Sequence, residues 1–540
     1  MPLTPLNPAQ VNAAVNALNP KFHKATANGD ETNASLKHTG NFHKTLKHNN
    51  QGYVDQPQYT IFQNALNAAQ SGGTFVALDN TLVGAAFSPT SERFTNPAAG
   101  LANDIIGIDP RLMPFAPAPS VTSEQCAVEM KEVYWMSLLR DTHFSDFASN
   151  TTVTKAVNDL NTNNGASQWL GGKDLTPQLL FRGNDLAGVG AGPYISQFMY
   201  KPIRFGAQDI LQRQETVDAH LDYMMDEKTF LEVENGLWAG RVGQNAIDPV
   251  KRFIRNGRDL GHYVHIDALY QAYFNAMLIL LGMNAQVDAG NPYPSKRMNA
   301  FATFDGPHIL SLATEVATRA LKAVWYQKWF VHRRLRPEAY AGLVNFNDPN
   351  LNAAITSSPV IGEIQVRTGG TRLLPMTFPE GSPTHPAYGA GHATVAGVCV
   401  TILKAWFDEE LPMLNPKVAN ADGTELVTYT GPGATEMTVG GELNKLAANI
   451  AIGRNFAGVH WFTDYSESIR LGERVATIHL MKQSRDYFEK FELSYKNFDG
   501  KTVKISSGGN ISVAGDPDLE AFYKLHGNLF VIGGDHYRLT

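Results

Sequence analysis

From Ala393 to Phe407 the chain reads Ala-Thr-Val-Ala-Gly-Val-Cys-Val-Thr-Ile-Leu-Lys-Ala-Trp-Phe, apolar at helical spacing and introduced by Gly389-Ala390-Gly391. Apolar residues at that period bury one side of a helix. The period returns near 58–70 and from Ser123 onward through Val128, Met130, Val133, Met136, Leu138 and Leu139. It continues at 144–160, 203–226, 262–281, 309–334, 442–452 and 463–491. Strand signals are few. The clearest is 502–513, where alternation around Gly508-Gly509-Asn510 predicts a terminal hairpin. Such a pattern predicts a mainly α protein with long loops carrying Gly and Pro. At 540 residues it exceeds one ordinary core, so two packed halves or one large helical unit are expected.

Residues 1–120 are rich in Asn, Gly, Ala and Pro and read as an arm of the kind that packs on a neighbouring subunit. A formal charge of −6 with no basic stripe excludes general nucleic-acid affinity. Cys126 and Cys399 are the two cysteines, too far apart for a metal-site spacing or a disulfide framework. No basic segment followed by an apolar run marks the start as a secretory signal. No apolar run approaches the ~18 residues of a membrane span, the longest being Ala276 to Met283. The cell compartment stays open.

Three segments concentrate cations and hydrogen-bond donors. In the first, Lys328 and Arg336 stand eight residues apart, about two helical turns, before Pro337 halts the helix. A guanidinium forks onto two oxygens of an anion, and an ammonium supplies a point charge beside it. Arg333 and Arg334 fit a basic helix end that favours its own macrodipole. In the second, Gly391 and its neighbours leave free backbone N–H groups at a helix start, a seat for an anion, with His392 and His385 as titratable groups nearby. In the third, Arg454 precedes His460, and Asp464 follows four residues later. A helix starting near Val459 would place His460 and Asp464 on one face, the carboxylate fixing the imidazole tautomer. The other histidines, among them His43, His48, His262, His265, His308 and His332, have no spacing tied to a mechanism and are expected at the surface or in the core. The loop 286–296 offers Asp288 and carbonyl oxygens to a hard cation such as calcium, although a solvated turn is the preferred reading.

Taken together, Lys-x7-Arg-Pro, then Gly-His, then Arg-x5-His-x3-Asp resembles the superfamily of vanadium-dependent haloperoxidases and type 2 phosphatidic acid phosphatases. The runs KWFVHRRLRPEAY, EGSPTHPAYGAGHAT, EVYWMSLLRDTHFSDF and GPYISQFMYKPIRFG are similar to the bromoperoxidases of red-algal and cyanobacterial type. The step from Lys328 to Arg336 and the histidine at 385 also resemble that branch.

The resemblance implies a vanadate (vanadium V) cofactor with His460 as the metal ligand, oriented by Asp464. It implies that Lys328, Arg336, Arg454, Gly391 and position 390 bind the vanadate oxygens. His392 would be the acid–base group, Lys328 would polarise bound peroxide, His385 would tune the site, and Gln327 would border the halide side. Hydrogen peroxide, bromide, iodide and small organic molecules are the implied substrates. One departure stands out: Ala390 occupies a position where the family has serine, which removes a hydroxyl donor worth roughly 1.5–3 kcal/mol to a charged acceptor. The implied architecture is two four-helix bundles (121–300 and a catalytic 301–495) with a small C-terminal β-hairpin in the tail 496–540, assembled as a homo-oligomer, commonly a dodecamer. Two other readings stand beside it: an acid phosphatase working through a phosphohistidine, and a non-catalytic oligomer weakened by Ala390.

Overall fold

The computed structural model describes residues 2–76, 78, 93–162, 169, 171–172, 174–237 and 246–539. Helices dominate, and the strands form only small antiparallel sheets. At the centre lies the helix Gly391–Trp406, in which every residue except His392 is buried. It packs against the helices Gly306–Tyr326, Val439–Phe456 and Phe462–Gln483. Two glycines set the closest crossing. A Cβ at Gly397 would lie 2.0 Å from the Ile469 carbonyl oxygen, and one at Gly472 would lie 2.1 Å from that of Thr394. Only bare backbone fits there, so these positions fix how deeply the 391–406 and 462–483 helices interlock.

Several expected helices take other forms. Segment 203–226 is not helical. Strands Ile203–Phe205 and Gln208–Ile210 form a hairpin, with Gly206 turning the chain at φ 61°, and Gln214–Val217 pairs with Ile247–Arg252. The apolar run 262–281 is divided between helices Gly257–Ile266 and Gln271–Gly282, bent by 99°. Helix Gly306–Tyr326 passes into a π-helical segment, Gln327–His332, which Arg333 ends in a left-handed conformation at φ 42°. The predicted 502–513 hairpin is present as Thr502–Ser506 and Asn510–Val513, with Glu492–Lys496 as a third strand.

The N-terminal segment lies on its own chain. Leu3–Leu6 pairs with Asp535–Leu539, joining the two ends in one sheet. Phe42, Leu46, Tyr59 and Phe62 pack with Trp329 and Phe330 of the π-helical segment. Among the described residues no single helix is long and apolar enough to cross a membrane. Asp288 forms a turn: Oδ1 accepts from the Gly290 N–H at 2.8 Å and Oδ2 from the Ser494 hydroxyl at 3.1 Å.

Candidate active site

The loop 385–391 is where the three segments meet. Lys328 Nζ donates to the carbonyls of Pro386 at 2.8 Å and Ala387 at 3.0 Å. Arg336 donates from Nε to the His385 carbonyl at 3.0 Å and from one terminal nitrogen to the Val459 carbonyl at 2.6 Å. Two turns of regular helix do not bring these cations together. The π-helical segment and the left-handed Arg333 re-aim the chain, and Arg336 becomes the extended N-cap of the helix Pro337–Asn345.

His460 sits at the junction. Its Nδ1 lies 2.7 Å from Asp464 Oδ2 and its Nε2 lies 3.1 Å from Arg336. A carboxylate accepts and a guanidinium only donates, so Nδ1 carries the proton and Nε2 presents its lone pair. The geometry behind this pairing differs from the expected shared helix face. The helix begins at Phe462, and His460 precedes it. Asp464, in the first turn, reaches back to both the His460 ring and the Trp461 N–H, the latter at 3.2 Å. The link is therefore a cap interaction, which the same four-residue spacing permits.

Arg334 corrects the macrodipole reading. It is buried, and its guanidinium bridges Asp464 at 2.9 Å and Glu129 at 3.0 Å while lying over the Trp461 ring at 4.7 Å. Burial pulls this guanidinium down, and Glu129 and Asp464 more than reverse the effect. Burial raises the Asp464 carboxyl against the pull of Arg334, Lys328 and Arg336.

Arg454 donates to the Val264 carbonyl at 2.8 Å, and its Nε is buried without a hydrogen-bond partner. His385 offers Nδ1 to Arg336 at 3.0 Å and lies against Trp325, ring centroids 4.9 Å apart. His392 Nε2 lies 3.1 Å from Asp267 Oδ1, and the side chain retains 18% exposure. Its Nδ1 has no hydrogen-bond partner among the described residues. Gly391 opens its helix with no side-chain cap from Ala390, leaving the first-turn N–H groups without internal acceptors. The Ala390 N–H donates to the Ser468 hydroxyl at 2.8 Å. Gln327 is buried and donates to the Pro110 carbonyl at 3.2 Å rather than to any group of this cluster.

Electrostatically the cluster is incomplete. Among the described residues, no carboxylate lies within ion-pairing distance of Lys328, Arg336 or Arg454. Burial, with Arg336 beside it, holds Lys328 well below the usual lysine range. Burial alone is the leading cause that brings Arg336 down to about 9 and Arg454 to about 10. Burial and these cations keep His460 well below the ordinary histidine value, as burial and Lys328 do for His385. Three converging cations, a neutral imidazole lone pair and a bare helix start suit an oxyanion with several accepting oxygens. Asp267, Glu129 and the true role of Arg334 escaped sequence reasoning, since their partners lie 125, 205 and 130 residues away.

The vanadium-dependent bromoperoxidase of Corallina pilulifera is 36% identical, over 92% of this chain and 97% of its own. That of Ascophyllum nodosum is 31% identical, over 90% and 89%. The homohexameric structure of the second vanadate-dependent bromoperoxidase (AnII) of A. nodosum superposes with a TM-score of 0.83 at 29% identity, covering 94% of this chain and 92% of that one. The family model for the VCPO second helical-bundle domain matches residues 309–490, the stretch that contains every segment meeting at the 385–391 loop. The chain belongs to the vanadium-dependent bromoperoxidases.

Proposed function

We propose that this protein binds vanadate and uses hydrogen peroxide to oxidise bromide, and iodide, to a hypohalous-acid equivalent that halogenates electron-rich organic molecules. The observation that carries this reading is the trio Lys328, Arg336 and Arg454, unpaired with any described carboxylate, beside His460, whose unprotonated Nε2 faces Arg336. Vanadate held there supplies a Lewis acid that activates peroxide without changing its own oxidation state. His460 gives Nε2 as ligand, and Asp464, braced by Arg334 and Glu129, keeps the proton on Nδ1. Lys328, Arg336, Arg454 and the Gly391 N–H take the oxygens. Ala390 contributes backbone only.

His392 is the acid–base group. Burial keeps it neutral at neutral pH against the opposing charge of Asp267, so Nδ1 is free to receive a proton from hydrogen peroxide. Lys328 would be the group that polarises peroxide toward halide. His385 anchors Arg336 through its ring and its carbonyl, and Gln327 acts by holding the backbone on which Lys328 sits.

Bromination of a cyclic diketone, assayed with and without vanadate from about pH 5 to pH 8, tests the reading. Activity that requires peroxide, bromide and vanadate together is expected. No bromination by protein shown to hold vanadate would reject it, and metal-free hydrolysis of an aryl phosphate in its place would point to the phosphatase chemistry. For architecture, the 391–406 helix and the three helices packed on it are proposed as the catalytic bundle, with a first bundle in 121–300. A homo-oligomer is proposed as the working form; light scattering distinguishes a hexamer, the state of AnII, from the dodecamer implied by the resemblance. A calcium ion at Asp288 is the weakest proposal, since both carboxylate oxygens already accept hydrogen bonds.

A further inference from the structure

His43, His48 and Glu234 take no part in the chemistry above, yet the fold brings them together in the interior. Their exposures are 3%, 8% and 0%. One ligand-capable atom from each lies within 4.8 Å of the other two. His43 Nδ1 is 2.8 Å from His48 Nε2 and 3.9 Å from Glu234 Oε2. Backbone bonds lace the two chain segments on either side. The Thr45 N–H donates to the Glu234 carbonyl at 2.8 Å, and the His48 N–H donates to Asn235 Oδ1 at 2.9 Å.

No N–H or hydroxyl group among the described residues donates to either carboxyl oxygen of Glu234, and the group that faces it is the carboxyl of Glu338. Lys44, the nearby cation, is committed elsewhere: Nζ contacts Glu338 at 2.9 Å and the carbonyls of Glu380 and Ser382 at 2.7 and 2.6 Å. A buried carboxyl without donors is costly, and such a group calls for an ion, a water or a proton to complete it. Burial and then Glu338 push this carboxyl up to about 8, and burial holds both imidazoles neutral, His48 at about 4. Neutral imidazole is the ligand form of histidine.

We propose that His43, His48 and Glu234 form a structural site for a divalent transition-metal ion, with zinc the best match. Two imidazole nitrogens and one carboxylate oxygen suit zinc, whereas calcium and magnesium favour all-oxygen shells. With metal–ligand bonds of about 2.0–2.1 Å, tetrahedral donors stand roughly 3.3 Å apart. The observed 2.8 and 3.9 Å bracket that spacing, so side-chain shifts on the order of 0.5 Å seat the ion. It would clip the 43–48 segment to the end of the helix Glu227–Glu234. Lys44 lies inside that clip and holds the 380–382 loop, so the ion would steady the approach to His385 and Arg336.

The test uses full-length protein stripped with a chelator, dialysed against zinc chloride and assayed for bound metal by atomic emission. About one zinc per chain is expected, with a raised unfolding temperature. Glu234→Gln and His48→Gln, which keep side-chain volume, should each weaken zinc binding by at least about tenfold and abolish the thermal response. Cobalt loading should give the visible absorption of a low-coordinate ion in the parent and not in Glu234→Gln. His460→Ala should keep its zinc, which separates this site from the vanadate ligand and makes the result independent of bromoperoxidase activity. Three outcomes overturn the proposal: no zinc bound by the parent, zinc retained by both cluster variants, or zinc lost only with His460→Ala. The first would leave the cluster as a proton shared between buried carboxyls.

Discussion

Ala390 occupies the N-cap of the 391–406 helix with extended backbone, φ −83° and ψ 126°, a conformation that serine adopts as a capping residue. Ala390→Ser should therefore bind vanadate about tenfold more tightly, one charge-assisted hydrogen bond being worth roughly 1.5–3 kcal/mol. Vanadate titration of apoprotein measures this, and unchanged affinity would mean that the hydroxyl does not reach the anion. His392 yields a second expectation, in which the sign matters. Burial lowers its pKa and Asp267 raises it, so Asp267→Asn removes the opposing charge and the imidazole protonates only at still lower pH. If His392 must be neutral to accept the peroxide proton, the acidic limb of the kcat/KM profile for peroxide should begin below the ordinary histidine value of about 6.5. It should move further down in Asp267→Asn. An upward shift would remove His392 from that role. The cluster's own members were legible in sequence because cations and histidines recur there at fixed short spacings. Their supports were not: Glu129 lies in a helix that sequence spacing presents as amphipathic but that the fold buries almost all round, and Asp267 closes another helix far from the motif.

Most of the long helices were legible from their apolar spacing, and the central 391–406 helix was announced by its own composition, whereas shorter ones such as Glu227–Glu234 and Pro517–Gly527 were not. What periodicity misses is a change of hydrogen-bond register. Nothing in Gln-Lys-Trp-Phe-Val-His signals the π-helical turn that, with Arg333 left-handed, converts a simple eight-residue step into a convergent pair of cations. Segment 203–217 deceived for the opposite reason. Its apolar residues also satisfy two-residue alternation, and Gly206 decides for a hairpin. The helix crossing at Gly397 and Gly472 connects the element to the site, because one helix carries Gly391 and His392 and the other carries Asp464. Gly472→Ala would drive a Cβ against the Thr394 carbonyl oxygen and the Val398 nitrogen, 2.1 and 2.6 Å away. Backbone cannot rotate aside, so the helices must separate. Overpacking of this kind costs about 1–3 kcal/mol, and the two halves of the vanadate seat would part with the helices. A lower unfolding midpoint together with at least about tenfold weaker vanadate binding is expected. A variant that loses stability but keeps full affinity would show that the crossing does not set the site.

Three buried histidines outside the active cluster bear on the whole molecule under acid. His332, His479 and His526 are each held at about 3 by burial first, with nearby cations adding to it: Arg333 and Arg334 for His332, Arg319 for His479, Lys482 for His526. Unfolded, each would titrate near 6.5. Above that value neither state binds the proton, and stability does not change on their account. Between about 6.5 and 3 the unfolded chain takes up protons that the folded chain refuses, so stability falls as pH falls and levels off only below the folded values. A tenfold difference in proton affinity between the folded and unfolded chain corresponds to about 1.4 kcal/mol. Their positions spread the effect across the molecule: His332 closes the π-helical segment, His479 lies in the 462–483 helix, and His526 lies in the helix Pro517–Gly527, whose chain runs on into the strands that meet the N-terminus. Acid should therefore unfold the protein as one cooperative body rather than fray one end. The thermal midpoint, followed by far-ultraviolet circular dichroism, should drop by more than about 5 °C between pH 6.5 and pH 4.5. His526→Gln, which removes one titrating group without adding charge, should flatten the slope. A midpoint independent of pH across that window would mean that these imidazoles are protonated in the folded state and that their burial is less complete than the packing indicates.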